Sequence, residues 1–348
     1  MGRTIPIALA TDPVRDTLSR PLSDLRISVI DRCNHRCPYC MPAEAFHEDY
    51  PFLRREQWLD FDEIERVARI MAGLGVRKLR LTGGEPLLRP GLPDLVRRLA
   101  AIPGIEDLAL TSNGVLLPRQ ARALKEAGLQ RVTISLDSLD PQTHKQLSGG
   151  RGDVRQTLDG IAEAERCGLA PIKINCVVLR GINDHQLFDL LGHFRGTPHV
   201  VRFIEYMDVG TLNQWRQAEV VPSSELRRRI EERWPLRALP PNVSGEVANR
   251  YAYADGLGEV GFISSVSKPF CGDCSRARLS ADGQLFTCLF AQHGHDLRGP
   301  LRAGASDQEM RGLVSAVWAG RQDRYSEQRA ARRGDANSEH VEMFHIGG

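Results

Sequence analysis

Residues Cys33-Asn34-His35-Arg36-Cys37-Pro38-Tyr39-Cys40 follow directly on the apolar run from Leu25 to Ile30. Their three cysteines stand at i, i+4 and i+7. Thiolates are the usual protein ligands of iron–sulfur clusters, and a cubane has four irons. Three cysteines therefore leave one iron without a protein ligand. An open metal position can hold a substrate or cofactor, as it does in a catalytic zinc site. The other chemistry open to this spacing is part of a structural zinc site.

Working outward, Leu25 to Ile30 alternates and is β-branched, which predicts a strand. Downstream, 41–58 has no clear period and carries Pro42 and Pro51. It reads as a loop that folds back over the cysteines. Asp60 with Glu63 predicts a capping box. Ile64, Val67, Ala68, Met71 and Leu74 then give helical spacing, which Gly75 ends. Strand patterns at 78–81, 107–111, 131–136, 173–179 and 200–204 alternate with helical ones near 91–101, 118–127, 154–167 and 184–194. With the first unit this makes six β-α repeats, hence a parallel sheet with right-handed crossovers. Six units are too few for a closed barrel, so the expected fold is an α/β partial, TIM-like barrel. Active residues then belong at the C-terminal ends of its strands.

After about Met207 the rhythm breaks. A charged helix over 222–234, a linker with Pro235, Pro240 and Pro241, and a helix over 306–318 follow. From Arg321 the polar, Arg-rich tail reads as a solvated extension. The expected organisation is an N-terminal extension 1–21, a core 22–207, and a C-terminal region 208–348.

Composition narrows the class. The chain has 348 residues and a net charge of +2, too small to argue for nucleic acid or membrane. No apolar run approaches a membrane span, and the first twenty residues lack a continuous apolar h-region. Eight cysteines fall into two sets of three plus Cys167 and Cys176. Clustered cysteines without a secretory signal read as metal ligands in a reducing compartment, so a cytoplasmic location is expected. Cys167 and Cys176 are expected to be small buried hydrophobes.

Thr82-Gly83-Gly84-Glu85-Pro86 directly follows the second strand pattern. Glycines there permit close backbone approach, and a buried Glu85 can accept from an ammonium. In isolation the pentapeptide is an ordinary turn. Thr111-Ser112-Asn113-Gly114 and Ser135 are polar strand ends. The second cysteine set is Cys271-Gly272-Asp273-Cys274 and, after thirteen residues, Cys288. It too is one ligand short, leaving open a zinc site completed by His293 or His295, or an electron-relay cluster. Arg276 and Arg278, at i and i+2 of an extended segment, point to one side and suit phosphate.

The first motif resembles the signature of the radical S-adenosylmethionine (radical SAM) enzymes. A wider set resembles the GTP 3′,8-cyclase family of molybdenum cofactor biosynthesis, in that family's order. The set is Arg26, the first cysteines, Lys78 to Pro86, Val201 to Met207, Cys271 to Cys288 and the terminal Gly347-Gly348. The resemblance implies two [4Fe-4S] clusters, on Cys33, Cys37 and Cys40 and on Cys271, Cys274 and Cys288. SAM would sit on the first open iron, near Tyr39, Gly84, Glu85, Ser135 and Met207. GTP would meet the second, among Arg26, Lys78, Arg80, Thr111, Lys173, Arg202, Arg276, Ala277 and Arg278. The Gly347-Gly348 tail would reach into the cavity. Several of those cations fall in β-rich segments, where an uncompensated charge is costly.

The implied course starts with reductive cleavage of SAM to a deoxyadenosyl radical. The radical takes hydrogen from C3′ of GTP, and C3′ then attacks C8. The product is (8S)-3′,8-cyclo-7,8-dihydroguanosine 5′-triphosphate, with no side chain assigned as acid or base. The resemblance also implies a flavodoxin- or ferredoxin-type reductant, a downstream pterin-forming enzyme, a homodimer and no nucleic-acid partner. Two rivals remain at this point: another radical SAM enzyme with an auxiliary cluster, such as a peptide modifier, and a zinc-dependent nucleic-acid-binding protein.

Overall fold

The computed structural model describes residues 12–243, 245–332 and 340–347. The strands are β1 Asp24–Ser28, β2 Lys78–Thr82, β3 Asp107–Ser112, β4 Arg131–Ser135, β5 Lys173–Val178, β6 Val200–Glu205, β7 Leu236–Leu239, β8 Asn249–Tyr253, β9 Glu259–Ile263, β10 Arg276–Leu279, β11 Gln284–Phe286 and β12 His295–Asp296. The helices are α1 Phe61–Ala72, α2 Leu92–Ala100, α3 Leu117–Glu126, α4 Pro141–Leu147, α5 Val154–Arg166, α6 Leu187–Phe194, α7 Ser223–Glu231, α8 Arg298–Arg302, α9 Asp307–Ala319, α10 Tyr325–Arg332 and α11 Met343–Ile346.

All strands join one sheet in the order β12-β11-β10-β1-β2-β3-β4-β5-β6-β9-β8-β7. Strands β1 to β6 pair in parallel in chain order. Two later strands lengthen the parallel run, β10 against β1 and β9 against β6. Both come from beyond residue 207, outside the β-α rhythm, so the periodicity did not place them in the parallel sheet, although 276–278 was expected to be extended. Antiparallel β11 and β8 cap the two sides.

Alternation along each strand sorts the two faces. In β1, Leu25 and Ile27 are fully buried in the apolar core, together with Leu79 and Leu81 of β2 and Leu279 of β10. They lie in one core with Ile64, Val67 and Met71 of α1 and Leu95 and Val96 of α2. Burying such side chains contributes about 1.5–3 kcal/mol each. The opposite face carries charge. Arg278, Arg26 and Arg80 stand in register across β10, β1 and β2, and Arg276, Asp24 and Lys78 form the row beside them.

Local signals set the helix ends. Asp60 and Glu63 close the capping box of α1, and Ser306 and Glu309 do the same for α9. Two expectations need correction. Where it is described, the stretch from Arg321 is no solvated extension: Arg321 is 4% exposed and α10 follows it, while 333–339 lie outside the described residues. Arg329 of α10 is itself buried and pairs with the part-buried Asp208 at 2.8 Å, and Arg321 pairs with the buried Asp16, so these arginines find carboxylates instead of water. Cys176 is buried as expected, but Cys167 is only half-buried at the C-terminus of α5, with its Sγ 3.1 Å from Glu163. Among the described residues no helix is long and apolar enough to cross a membrane.

Candidate active site

The first cysteine loop leaves the C-terminal end of β1 and is tied down by its neighbours. Arg36 donates from Nε to the Phe46 carbonyl (2.7 Å) and from Nη1 to those of Cys33 and His35 (both 2.8 Å). The amides of Gly84 and Glu85 donate to the carbonyls of Ile30 and Arg32, each at 2.8 Å. A Cβ on Gly83 would stand 2.3 Å from the Ile30 oxygen, and one on Gly84 2.2 Å from the Arg32 oxygen. The two glycines thus let the cysteine loop lie against the end of β2, a closer constraint than the ligand approach read from the sequence.

Glu85 is 1% exposed. It accepts from the amides of Leu87 (3.1 Å) and Asn113 (2.8 Å) and from Ser112 Oγ (2.9 Å). A carboxylate has about four acceptor sites, so one remains for a cation. Burial raises its pKa to about 7 against the pull of these donors. An ammonium beside it returns the group to its charged form.

Tyr39 Oη donates to Asp137 Oδ2 (2.6 Å), whose Oδ1 accepts the Val177 amide (2.8 Å). Burial lifts Asp137 to about 6. Asp137 went unnoticed in the sequence, although it lies two residues past Ser135 at a strand end. His35 and His144, both buried with Nε2 lacking a partner, also went unnoticed.

The second cysteine set lies at the opposite, N-terminal end of the parallel strands, because Cys271 and Cys274 precede β10 and β10 runs parallel to β1. Cys288 returns there after β11. One cavity of about 810 Å³ reaches both ends and is lined by all six cysteines. Burial pushes the Cys33 and Cys288 thiols up to about 12, and Cys37 and Cys40 upward as well. Burial also acts against the Cys274 thiolate, but Arg276 and Arg321 outweigh it and bring that thiol down to about 6. Thiols raised by burial ionise when a metal binds them. Among the described residues no three Cys, His, Asp or Glu side chains gather around a single metal ion. Each set supplies three soft donors, which suits a cluster, whose ligands sit on separate irons.

Between the two ends the cavity wall is cationic, with Arg26, Lys78, Arg80, Lys173, Arg202, Arg276 and Arg278 all lining it. Lys78 pairs with Asp24 at 2.9 Å. Arg80 Nη1 donates to the hydroxyls of Thr111 (3.0 Å) and Thr133 (3.1 Å), while its Nε has no partner. Arg202 donates from Nε and Nη2 to Asn175 Oδ1 (3.0 and 2.7 Å). Among the described residues Arg26 and Lys173 have no hydrogen-bond or ion-pair partner. Burial, then Arg278 and Arg276, holds Arg26 well below the usual arginine range. Burial, then Arg202, brings Lys173 down to about 7. Buried cations in this excess are costly until an anion meets them.

The remaining site residues sort clearly. Ser135 and Met207 line the cavity. Ala277 is 1% exposed in the apolar core, on the face of β10 away from Arg276 and Arg278. Its side chain therefore cannot touch a ligand in the cavity, and only its backbone is available. Phe344 packs edge-on against Phe46 with centroids 4.8 Å apart. That contact carries the chain end to Arg278, whose Nη1 donates to the Gly347 carbonyl. Gly348 lies outside the described residues.

Residues 27–193 match the radical SAM superfamily, and residues 199–327 match the description Molybdenum Cofactor Synthesis C. A GTP 3′,8-cyclase from Xanthomonas campestris pv. campestris (strain 8004) is 57% identical over 340 residues, covering 98% of this chain and 99% of that protein. The protein of that name from Acidothermus cellulolyticus is 53% identical over 324 residues, 92% of this chain and 90% of the relative. That from Staphylococcus aureus (strain JH9) is 41% identical over 339 residues, 97% of this chain and 99% of the relative. Among solved structures, Streptococcus suis SuiB bound to S-adenosylmethionine aligns with a TM-score of 0.57 at 16% identity, over 78% of this chain and 60% of that one. At that identity the likeness speaks to the fold alone, an α/β partial barrel.

Proposed function

The chain belongs to the GTP 3′,8-cyclase family, and from that premise we propose that it converts GTP, with SAM and an electron donor, to the cyclic 3′,8-dihydroguanosine triphosphate. The observation that carries this reading is the single cavity that joins both cysteine sets, with Arg26 and Lys173, part-buried and without side-chain partners among the described residues, between them. Cys33, Cys37 and Cys40 would hold a cubane with SAM, and Cys271, Cys274 and Cys288 a second. When bound, the first cluster and SAM supply a one-electron reduction that ends in a carbon radical.

The chain's own residues bind, orient and shield. Glu85 has one acceptor position free for the SAM ammonium, and its three donors fix its orientation. Tyr39, anchored on Asp137, fixes the middle of the first cysteine loop. Gly84, Ser135 and Met207 complete the SAM end. Arg26, Lys78, Arg80, Lys173, Arg202, Arg276 and Arg278 meet the triphosphate, and Thr111 orients Arg80. The buried cation excess then becomes useful, because the ligand's charge neutralises it. The tail, held at Gly347 by Arg278, would close the cavity over the substrate.

We place the core at 22–207, the second cluster and tail in 208–348, and the extension at 1–21. A flavodoxin- or ferredoxin-type reductant, a downstream pterin-forming enzyme, a homodimeric state and a cytoplasmic location complete the proposal. Anaerobic reconstitution tests it. Wild type should bind about eight irons per chain and Cys33→Ser about half. Cys33→Ser should abolish SAM cleavage, whereas Cys271→Ser should spare it and impair GTP handling. Saturation of wild type at four irons would overturn the second cluster.

A further inference from the structure

The segment before β1 carries no motif, yet it closes on the second cysteine set. Arg20 is 2% exposed and Asp16 7%. Arg20 donates from Nε to Asp16 Oδ2 (2.6 Å), and Asp16 Oδ1 accepts the amides of Leu18 (2.9 Å) and Arg20 (2.8 Å). From 305 residues further along, Arg321 brings Nη1 within 3.4 Å of the same Asp16 Oδ2. Each arginine reaches the backbone of a cysteine. Arg20 Nη1 donates to the Cys271 carbonyl at 2.8 Å, and Arg321 Nη1 to the Cys274 carbonyl at 2.6 Å.

Further contacts frame the two arginines. Trp318 Nε1 donates to the Arg20 carbonyl (3.1 Å), and the Arg321 guanidinium lies 4.6 Å from the Trp318 ring. The amides of Ser23 and Asp24 both donate to the Ser275 carbonyl, at 3.2 and 3.1 Å. The cysteine loop is thus held from two directions, by the chain entering β1 and by the turn after α9. Asp323, part-exposed, stands as far from Arg321 Nε, 3.4 Å, as Asp16 does from Nη1, and it accepts from Thr287.

Charge gives the clamp a second consequence. The Asp16 side chain stands fully buried between the two guanidiniums, whereas the Asp323 side chain is 34% exposed and its charge is screened by solvent, so the buried part of the network carries a net positive charge beside Cys271 and Cys274. A reduced cluster carries one more electron than its oxidised form, and nearby positive charge stabilises that electron.

We propose that Asp16, Arg20 and Arg321 are positioning residues that hold the Cys271–Cys274 loop against β10 and, through their net charge, raise the reduction potential of the cluster bound there. The proposal rests on the reading that Cys271, Cys274 and Cys288 hold a cluster. The step concerned is the addition of one electron, supplied by dithionite, to that cluster. No bond is made or broken.

The test is a potentiometric titration of the anaerobic holoenzyme. The second cluster's paramagnetic signal is identified by its response to GTP and not to SAM. Arg321→Gln should shift the reduction equilibrium about tenfold toward the oxidised form, equivalent to about 59 mV for one electron. Asp16→Asn should shift it in the opposite sense. Arg321→Lys, which keeps the charge and loses the planar fork, should stay within about threefold of wild type. Opposite signs are a signature that a purely structural role does not produce. Shifts of the same sign, no shift with iron retained, or loss of half the iron in all three variants would each overturn the potential-setting role. Wild type binding only four irons would instead overturn the underlying cluster assignment.

Discussion

Replacing Arg26 by Met should stabilise the ligand-free protein while weakening GTP binding. Arg26 sits in register between Arg278 and Arg80, its Nε is cut off from water, and it has no partner among the described residues. Its charge is therefore a cost to the empty fold. The side chain is part-accessible through the cavity, so solvent screening reduces that cost. Removing a poorly compensated charge while keeping most of the apolar stem should gain about 1–2 kcal/mol. For a chain of this length that raises Tm by roughly 1–3 °C.

With GTP the sign reverses. A charge-assisted contact contributes about 1.5–3 kcal/mol, so affinity should fall roughly ten- to hundredfold. Anaerobic calorimetric melting with and without GTP, alongside equilibrium binding, reads both effects on one preparation. A lower Tm without ligand, together with unchanged GTP affinity, would show Arg26 to be a structural cation and refute the reasoning.

Three further outcomes follow from single contacts. Gly84→Ala places a Cβ 2.2 Å from the Arg32 oxygen, so the first cysteine loop must shift, and reconstituted iron should fall by about half while the second cluster stays. Lys173, brought down to about 7, regains its proton when a triphosphate binds; GTP affinity should be flat below pH 7 and fall above it, with proton uptake near pH 8 that Lys173→Met abolishes, measured by calorimetry in buffers of different ionisation enthalpy. Gly347→Ala, at φ +71° with its Cβ 2.1 Å from Thr82 Cγ2, displaces the tail; SAM cleavage should persist while cyclisation drops by about a hundredfold, and equal loss of both in one assay would return the tail to a general structural role.

What the sequence disclosed and what it hid divide along contact range. The strand ends bearing Glu85, Thr111 and Ser135 were visible because alternation and a Gly-Gly turn are local signals. The facing of Arg276 and Arg278 followed from the period of a strand, and the same period puts Ala277 in the core. Asp137 could not be ranked above other polar strand ends, since its partner Tyr39 is 98 residues away. The Asp16–Arg20–Arg321 network joins segments 305 residues apart, each polar and unremarkable alone. Charge counting along the chain made Arg321 and Arg329 look solvated; only the fold brings Asp16 and Asp208 to them. Strand β9, and the place of the extended 276–278 segment in the parallel run as β10, were hidden for a related reason. They join the parallel run by pairing with β6 and β1, and no helix of their own announces them.

The central claim is that the two ends of one cavity bring a SAM-derived radical and GTP together. Its most direct measurement is the product of an anaerobic incubation of reconstituted protein with SAM, GTP and dithionite. Mass analysis should find 5′-deoxyadenosine and a cyclised triphosphate isomeric with GTP accumulating together, and Arg276→Ala should lower the second without abolishing the first. Formation of 5′-deoxyadenosine with GTP recovered unchanged would contradict the account.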